Sequence, residues 1–222
     1  MAAQPFVFRK VLYLAEASGR RARGLDDLLR LVTVADPSSI GYHMHREFLA
    51  YKFAHAEWPN DFAYWAARVL GDEVLGERLA NLRAFRHATL AELKAELAQV
   101  IADHMLRVPE AALGRAPAGR ELDFATARKF VLPTGRTART LAELAGAIAE
   151  VESSSLFYHF FETRYEARVP REGDFAAWAR DVLLRPDLAA RLAGFDPYMF
   201  SLEQLRRVLM RILSEAEAGA RP

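Results

Sequence analysis

The chain contains no cysteine. This excludes disulfides, thiolate nucleophiles, zinc fingers and cysteine-ligated iron–sulfur clusters. No uninterrupted apolar run approaches the roughly 18 residues that cross a bilayer, and "MAAQPFVFRKV" lacks the apolar core of a secretory signal. Charge of one sign is not in excess either: 30 basic and 29 acidic residues leave a net charge of +1. Such balance supplies no bulk attraction to nucleic acid or to an anionic membrane. A glycine-rich phosphate loop, H-E-x-x-H and G-x-S-x-G are all missing. With 52% hydrophobic and 27% charged residues, a soluble, cytoplasmic protein with an ample core is expected.

What is present is internal similarity. A shift of 116 lays "GRRARGLDDLL" (Gly19–Leu29) over "GRTARTLAELA" (Gly135–Ala145), and Ser38, Ser39, Tyr42 and His43 over Ser154, Ser155, Tyr158 and His159. A shift of 113 lays "DFAYWAARVL" from Asp61 over "DFAAWARDVL" from Asp174. These matches predict a mainly α chain, a tandem duplication of a roughly four-helix domain with pseudo-twofold packing. The first repeat would span 1–106 and the second 122–222, with a flexible tail after about 214. Between them, 107–121 carries Pro and Gly without helical periodicity and reads as a linker.

Helix starts are marked by "TLAE" at Thr89 and Thr140 and by "SLEQ" at Ser201, which fit the capping-box pattern. Asp61 and Asp174 are expected as helix caps, and so are the paired serines Ser38/Ser39 and Ser154/Ser155. Phe62, Trp65, Ala66 and Val69 share one helical face, as do Phe175, Trp178, Ala179 and Val182, so these aromatics are read as core. Before the helices, "FVFRKVLYLA" and "ARKFVLPT" are read as a short β-segment at the start of each repeat.

"SSSLFYHFFETR", "GDFAAWARDVL" and "FDPYMFSLEQLRRVL" together resemble a bacterial and archaeal family known as domain of unknown function 5752. The second repeat carries the pattern along its length. The first departs from it, with Gly41 and Met44 where aromatics are expected and no "FDPY" segment. The resemblance implies a small helical domain, here in two tandem copies, and transfers no activity or catalytic residue.

The Tyr–His pairs are the first site candidates. His43 and His159 fall at or beside the buried helix face, with Tyr42 and Tyr158 about 100° around. One reading makes them core rings bonded to a backbone carbonyl or carboxylate. The other brings both histidines to a cleft shared by the repeats. A metal would use His43 with Glu47 and His159 with Glu162, but Glu47 aligns with Thr163 and Glu162 with Arg46, so matched ligands are absent. Arg20, Arg23, Arg136 and Arg139 recur before helix N-termini, where turn amides and guanidinium forks suit a phosphate or carboxylate.

No catalytic constellation assembles from these residues, and no cofactor is implied. The expected role is a non-enzymatic binding or accessory module, a monomer or homodimer without nucleic-acid or membrane partners, that engages a protein or an anionic small molecule. The competing role is a sensor or enzyme acting on an anionic metabolite between the repeats.

Overall fold

The computed structural model describes residues 4–49, 58–82, 87, 89–165 and 173–219. Its elements follow in chain order as β1 (Phe6–Ala22), α1 (Leu25–Val34), α2 (Pro37–Leu49), α3 (Asp61–Arg68), α4 (Glu73–Ala80) and α5 (Leu90–Arg107). Then come β2 (Leu122–Ala138), α6 (Leu141–Glu150), α7 (Ser153–Phe160), α8 (Asp174–Asp181), α9 (Pro186–Ala193) and α10 (Leu202–Ala218). No helix among the described residues is long and apolar enough to cross a membrane.

The strands overturn the expected fold class. β1 and β2 are 17 residues each and pair with one another in a two-stranded antiparallel sheet. They are not short segments, and the structure shows no tandem duplication of a four-helix domain with pseudo-twofold packing. Among the described residues, ten α-helices and this ribbon stand in its place. Strand length was hidden because a ladder's hydrogen bonds come from the partner strand, which local periodicity does not report. Pro133 is tolerated because each strand of a two-stranded ribbon keeps one unpaired edge.

The chain divides into two compact units that are not sequential halves. Unit 1 comprises residues 1–12 and 130–222, and unit 2 comprises 13–129. Each unit therefore holds helices together with the first half of a strand that lies far away in sequence. In unit 1, Phe6 and Phe8 are buried against Phe175, His159 and Trp178, with Phe6 and Phe175 stacked at 5.1 Å between ring centroids. In unit 2, Phe124 packs on His43 and Phe62 at 4.9 and 6.3 Å. Tryptophan N–H groups hold the same strand ends: Trp178 donates to the Gln4 carbonyl at 3.1 Å, Trp65 to that of Arg120 at 3.0 Å. Buried indoles need such acceptors.

Residues 107–121 contain a 3-10 turn, Pro109–Leu113, and are tied to unit 2 by the Ala116 N–H donating to the Arg23 carbonyl at 2.7 Å. The capping box is complete at Ser201 and Gln204, while Thr89 and Thr140 each accept one amide. Asp61 and Asp174 are not caps. Asn60 caps α3 through the Ala63 N–H, α8 starts after Gly173 without a side-chain cap, and both aspartates face histidines.

Candidate functional site

The burial pattern of β1 begins as strict alternation, Phe6 and Phe8 inward, then slips by one residue to Val11. β2 repeats this with Leu122, Phe124 and Ala127. The slip leaves a strand amide facing helices rather than the partner strand, and a buried amide must find an acceptor. The histidines supply it. His159 Nε2 accepts the Arg9 N–H at 3.0 Å, and His43 Nε2 accepts the Ala125 N–H at 3.0 Å.

The other ring nitrogen is used as well. His159 Nδ1 lies 2.6 Å from Asp174 Oδ2, and His43 Nδ1 lies 2.8 Å from Asp61 Oδ2. An imidazole that accepts at Nε2 carries its hydrogen at Nδ1, so each Nδ1–H donates to its carboxylate and the tautomer is set by the partners. Arg46 adds a second contact to Asp61 at 3.2 Å. Serines one helical turn earlier complete the clasp. Ser155 Oγ donates to the Arg9 carbonyl at 2.7 Å, and Ser39 Oγ accepts the Ala127 N–H at 3.1 Å. These two serines are strand anchors, not the helix caps that their position suggested.

Both histidines are almost wholly buried, with 1% and 2% of their surface exposed. Tyr158 is buried 5.0 Å from the His159 ring, and half-buried Tyr42 lies 5.5 Å from His43 and 6.2 Å from Tyr13. Each tyrosine is thus the neighbour of a clasp. Glu162 is fully buried, whereas the Glu47 side chain lies outside the described residues. Among the described residues no group of three or more His, Asp or Glu is placed to hold a metal ion.

The arginine positions separate. Arg136 pairs with Glu150 at 2.6 Å in unit 1. Arg23 and Arg139 are exposed, and their backbone N–H groups donate to Asp27 and Glu143 at the starts of α1 and α6. Around Arg20 in unit 2, Arg21 pairs with Asp123 and Arg30 with Asp27, each at 2.6 Å. The Arg30 guanidinium holds the Asp27 carboxyl below its ordinary value. The Arg20 guanidinium has no partner among the described residues. It lines two depressions that share Leu31 and Val34: one of about 250 Å³, closed by Ala35, Asp36 and Phe124, and one of about 550 Å³, reached also by Arg21 and Arg30.

Sequence reasoning missed two things. The aspartate partners could have been found, because a histidine and an aspartate recur together at matched positions, His43 with Asp61 and His159 with Asp174. A further pair, His104 with Asp72 at 2.6 Å, has no counterpart elsewhere in the chain and left no such signal.

A single match to the Family of unknown function (DUF5752) spans residues 3–214. OrfY from Thermoproteus tenax has a similar solved structure, with a TM-score of 0.80, 30% sequence identity and 98% of each chain covered. No curated protein matches the chain.

Proposed function

The chain belongs to the Family of unknown function (DUF5752), and we propose that it is a non-enzymatic binding module of the cytoplasm whose ligand is a small anionic metabolite held in unit 2. One observation carries this reading. Arg20 lines a pocket with its guanidinium unmatched among the described residues, while the neighbouring Arg21 and Arg30 are each neutralised by a carboxylate.

The corresponding place in unit 1 supports it. There Arg136 is paired with Glu150, and the residue 116 positions before Glu150 is Val34. Unit 2 therefore has an apolar wall where unit 1 has the counter-charge. A guanidinium fork beside Leu31, Val34 and Phe124 suits a carboxylate or phosphate on a short carbon skeleton. The non-enzymatic part rests on the histidines. A general base needs a free ring nitrogen, and in His43 and His159 both nitrogens are bonded within the chain.

Native mass spectrometry after incubation with short dicarboxylates and sugar phosphates, set against the denatured mass, tests this. An adduct that survives desalting in the wild type and is lost in Arg20→Gln supports the pocket. Bare protein with every compound, or an adduct unchanged in Arg20→Gln, sinks it.

A further inference from the structure

Two charges of opposite sign stand open at one depression of unit 2. Arg20 and Asp36 both line the space of about 250 Å³. Asp36 uses one carboxylate oxygen, Oδ1, to accept the Ser38 N–H at 2.8 Å at the start of α2, and no basic side chain pairs with it among the described residues. Lys94, on α5, gives its ammonium to the Ala35 carbonyl at 2.8 Å. The neighbouring arginines are matched, Arg21 with Asp123 and Arg30 with Asp27.

In unit 1 the same two charges are closed within the chain. Arg136 and Glu152 stand 116 positions after Arg20 and Asp36. Arg136 pairs with Glu150 at 2.6 Å, and Glu152 pairs with Lys10 at 2.8 Å. In unit 2 the position that matches Glu150 is Val34, and the position that matches Lys10 is Thr126; both line the depression. One carboxylate and one ammonium are thus missing together, at the place where a cavity opens. An exposed ion pair contributes little to stability, so the fold tolerates the loss and two charges are left for a ligand.

We propose that the ligand supplies both missing groups and is a 2-amino dicarboxylate, with one carboxylate on Arg20 and its ammonium on Asp36. This rests on the Arg20 pocket argued above and narrows its occupant. A planar carboxylate takes the guanidinium fork bidentately. A phosphate at a helix start would use the first backbone amides, but those of α2 are already taken by Asp36. Its Oδ1 holds the Ser38 N–H, and its carbonyl accepts those of Ser39 and Ile40 at 3.0 and 3.4 Å. The volume lies below the roughly 300 Å³ at which pockets for drug-sized ligands begin, which limits the occupant to a few carbons. The carbon stem lies along Leu31 and Val34, common to both depressions, and the second carboxylate reaches the one edged by Arg21 and Arg30.

Amide-resolved NMR titrations of the full chain with L-glutamate and with glutarate, which differ by one amino group, test this against sodium chloride at matched ionic strength. Saturable shifts are expected at Ala35, Ser39 and Thr126, with glutamate bound about fivefold more tightly, the upper range for one exposed ion pair. Asp36→Asn keeps an oxygen for the Ser38 N–H and removes the charge, and Thr126→Lys restores the lysine that unit 1 has at position 10. In either variant the preference for glutamate should vanish while glutarate still binds, and Arg20→Gln should weaken both compounds. Equal affinities in the wild type, or a preference that survives in Asp36→Asn, overturn the assignment of the amino group. Glutarate binding that is lost in Arg20→Gln upholds the pocket even then. Shifts no larger than those from sodium chloride with both compounds overturn the 2-amino dicarboxylate and leave the sugar phosphates to decide the pocket.

Discussion

The Nε2 atom of His159 accepts the backbone N–H of Arg9 at 3.0 Å across 150 positions of sequence. The Tyr–His pair in a greasy helix is explained by this bond. A helix meeting a strand at a register slip must satisfy a backbone amide in the core, and an imidazole does so while passing its own hydrogen to Asp174. The polar ring is tolerated among Phe6, Phe8 and Phe175 because neither nitrogen is left open.

His159→Ala removes the acceptor of the Arg9 amide and the partner of Asp174 together. Breaking a buried pair costs about 3–5 kcal/mol, and Asp174 keeps 21% side-chain exposure, so about 3 kcal/mol is expected. Urea unfolding followed by circular dichroism measures it. A loss below about 1 kcal/mol, the net worth of one ordinary hydrogen bond, would mean that the ring only fills space.

The two serine anchors should differ in cost. Ser39→Ala strands the buried Ala127 N–H, an orphaned donor worth about 1–3 kcal/mol. Ser155→Ala leaves the Arg9 carbonyl short of one donor, and a carbonyl with a second lone pair suffers less. Equal or reversed losses in parallel denaturation curves would contradict this account of the clasp.

Two helical glycines should respond to alanine with opposite signs. A Cβ on Gly76 would sit 2.6 Å from the Ala67 Cβ and 2.9 Å from the Trp58 ring, at the contact of α3 with α4. Overpacking of this kind costs about 1–3 kcal/mol. At Gly146, on the exposed side of α6, a Cβ meets nothing within 4 Å. There Gly146→Ala should add about 0.4–1 kcal/mol through helix propensity and a less flexible unfolded chain. Thermal melts of the two variants decide it.

Acid should weaken the fold in a definite window. Hydrogen bonds from the Arg185 guanidinium hold the Asp187 carboxyl at about 2, down from its ordinary 3.8, and Arg206 lowers Glu203 in the same direction. A carboxylate whose folded value is depressed contributes stability that is full above its unfolded value and is lost as pH falls towards the folded one. Stability should therefore drop between about pH 4 and pH 2, and Arg185→Gln should make that drop shallower. A pH series of denaturation midpoints with the same slope in both proteins would rule Asp187 out as a contributor.

The sequence by itself determined the local pieces. Apolar spacing placed Phe62, Trp65, Phe175 and Trp178 in the core, and Ser201 with Gln204 marked the start of α10, since these depend on neighbours within a turn. It also singled out His43 and His159, which the structure places at the centre of each strand clasp. Only the tertiary structure decided what the histidines touch. Their acceptor role, the length of β1 and β2 and the pairing of His104 with Asp72 depend on groups dozens to over a hundred positions away. No local period encodes such a partner. Strand pairing and buried hydrogen bonds are settled by which surfaces meet, and here the first half of each strand packs with helices remote from it in sequence.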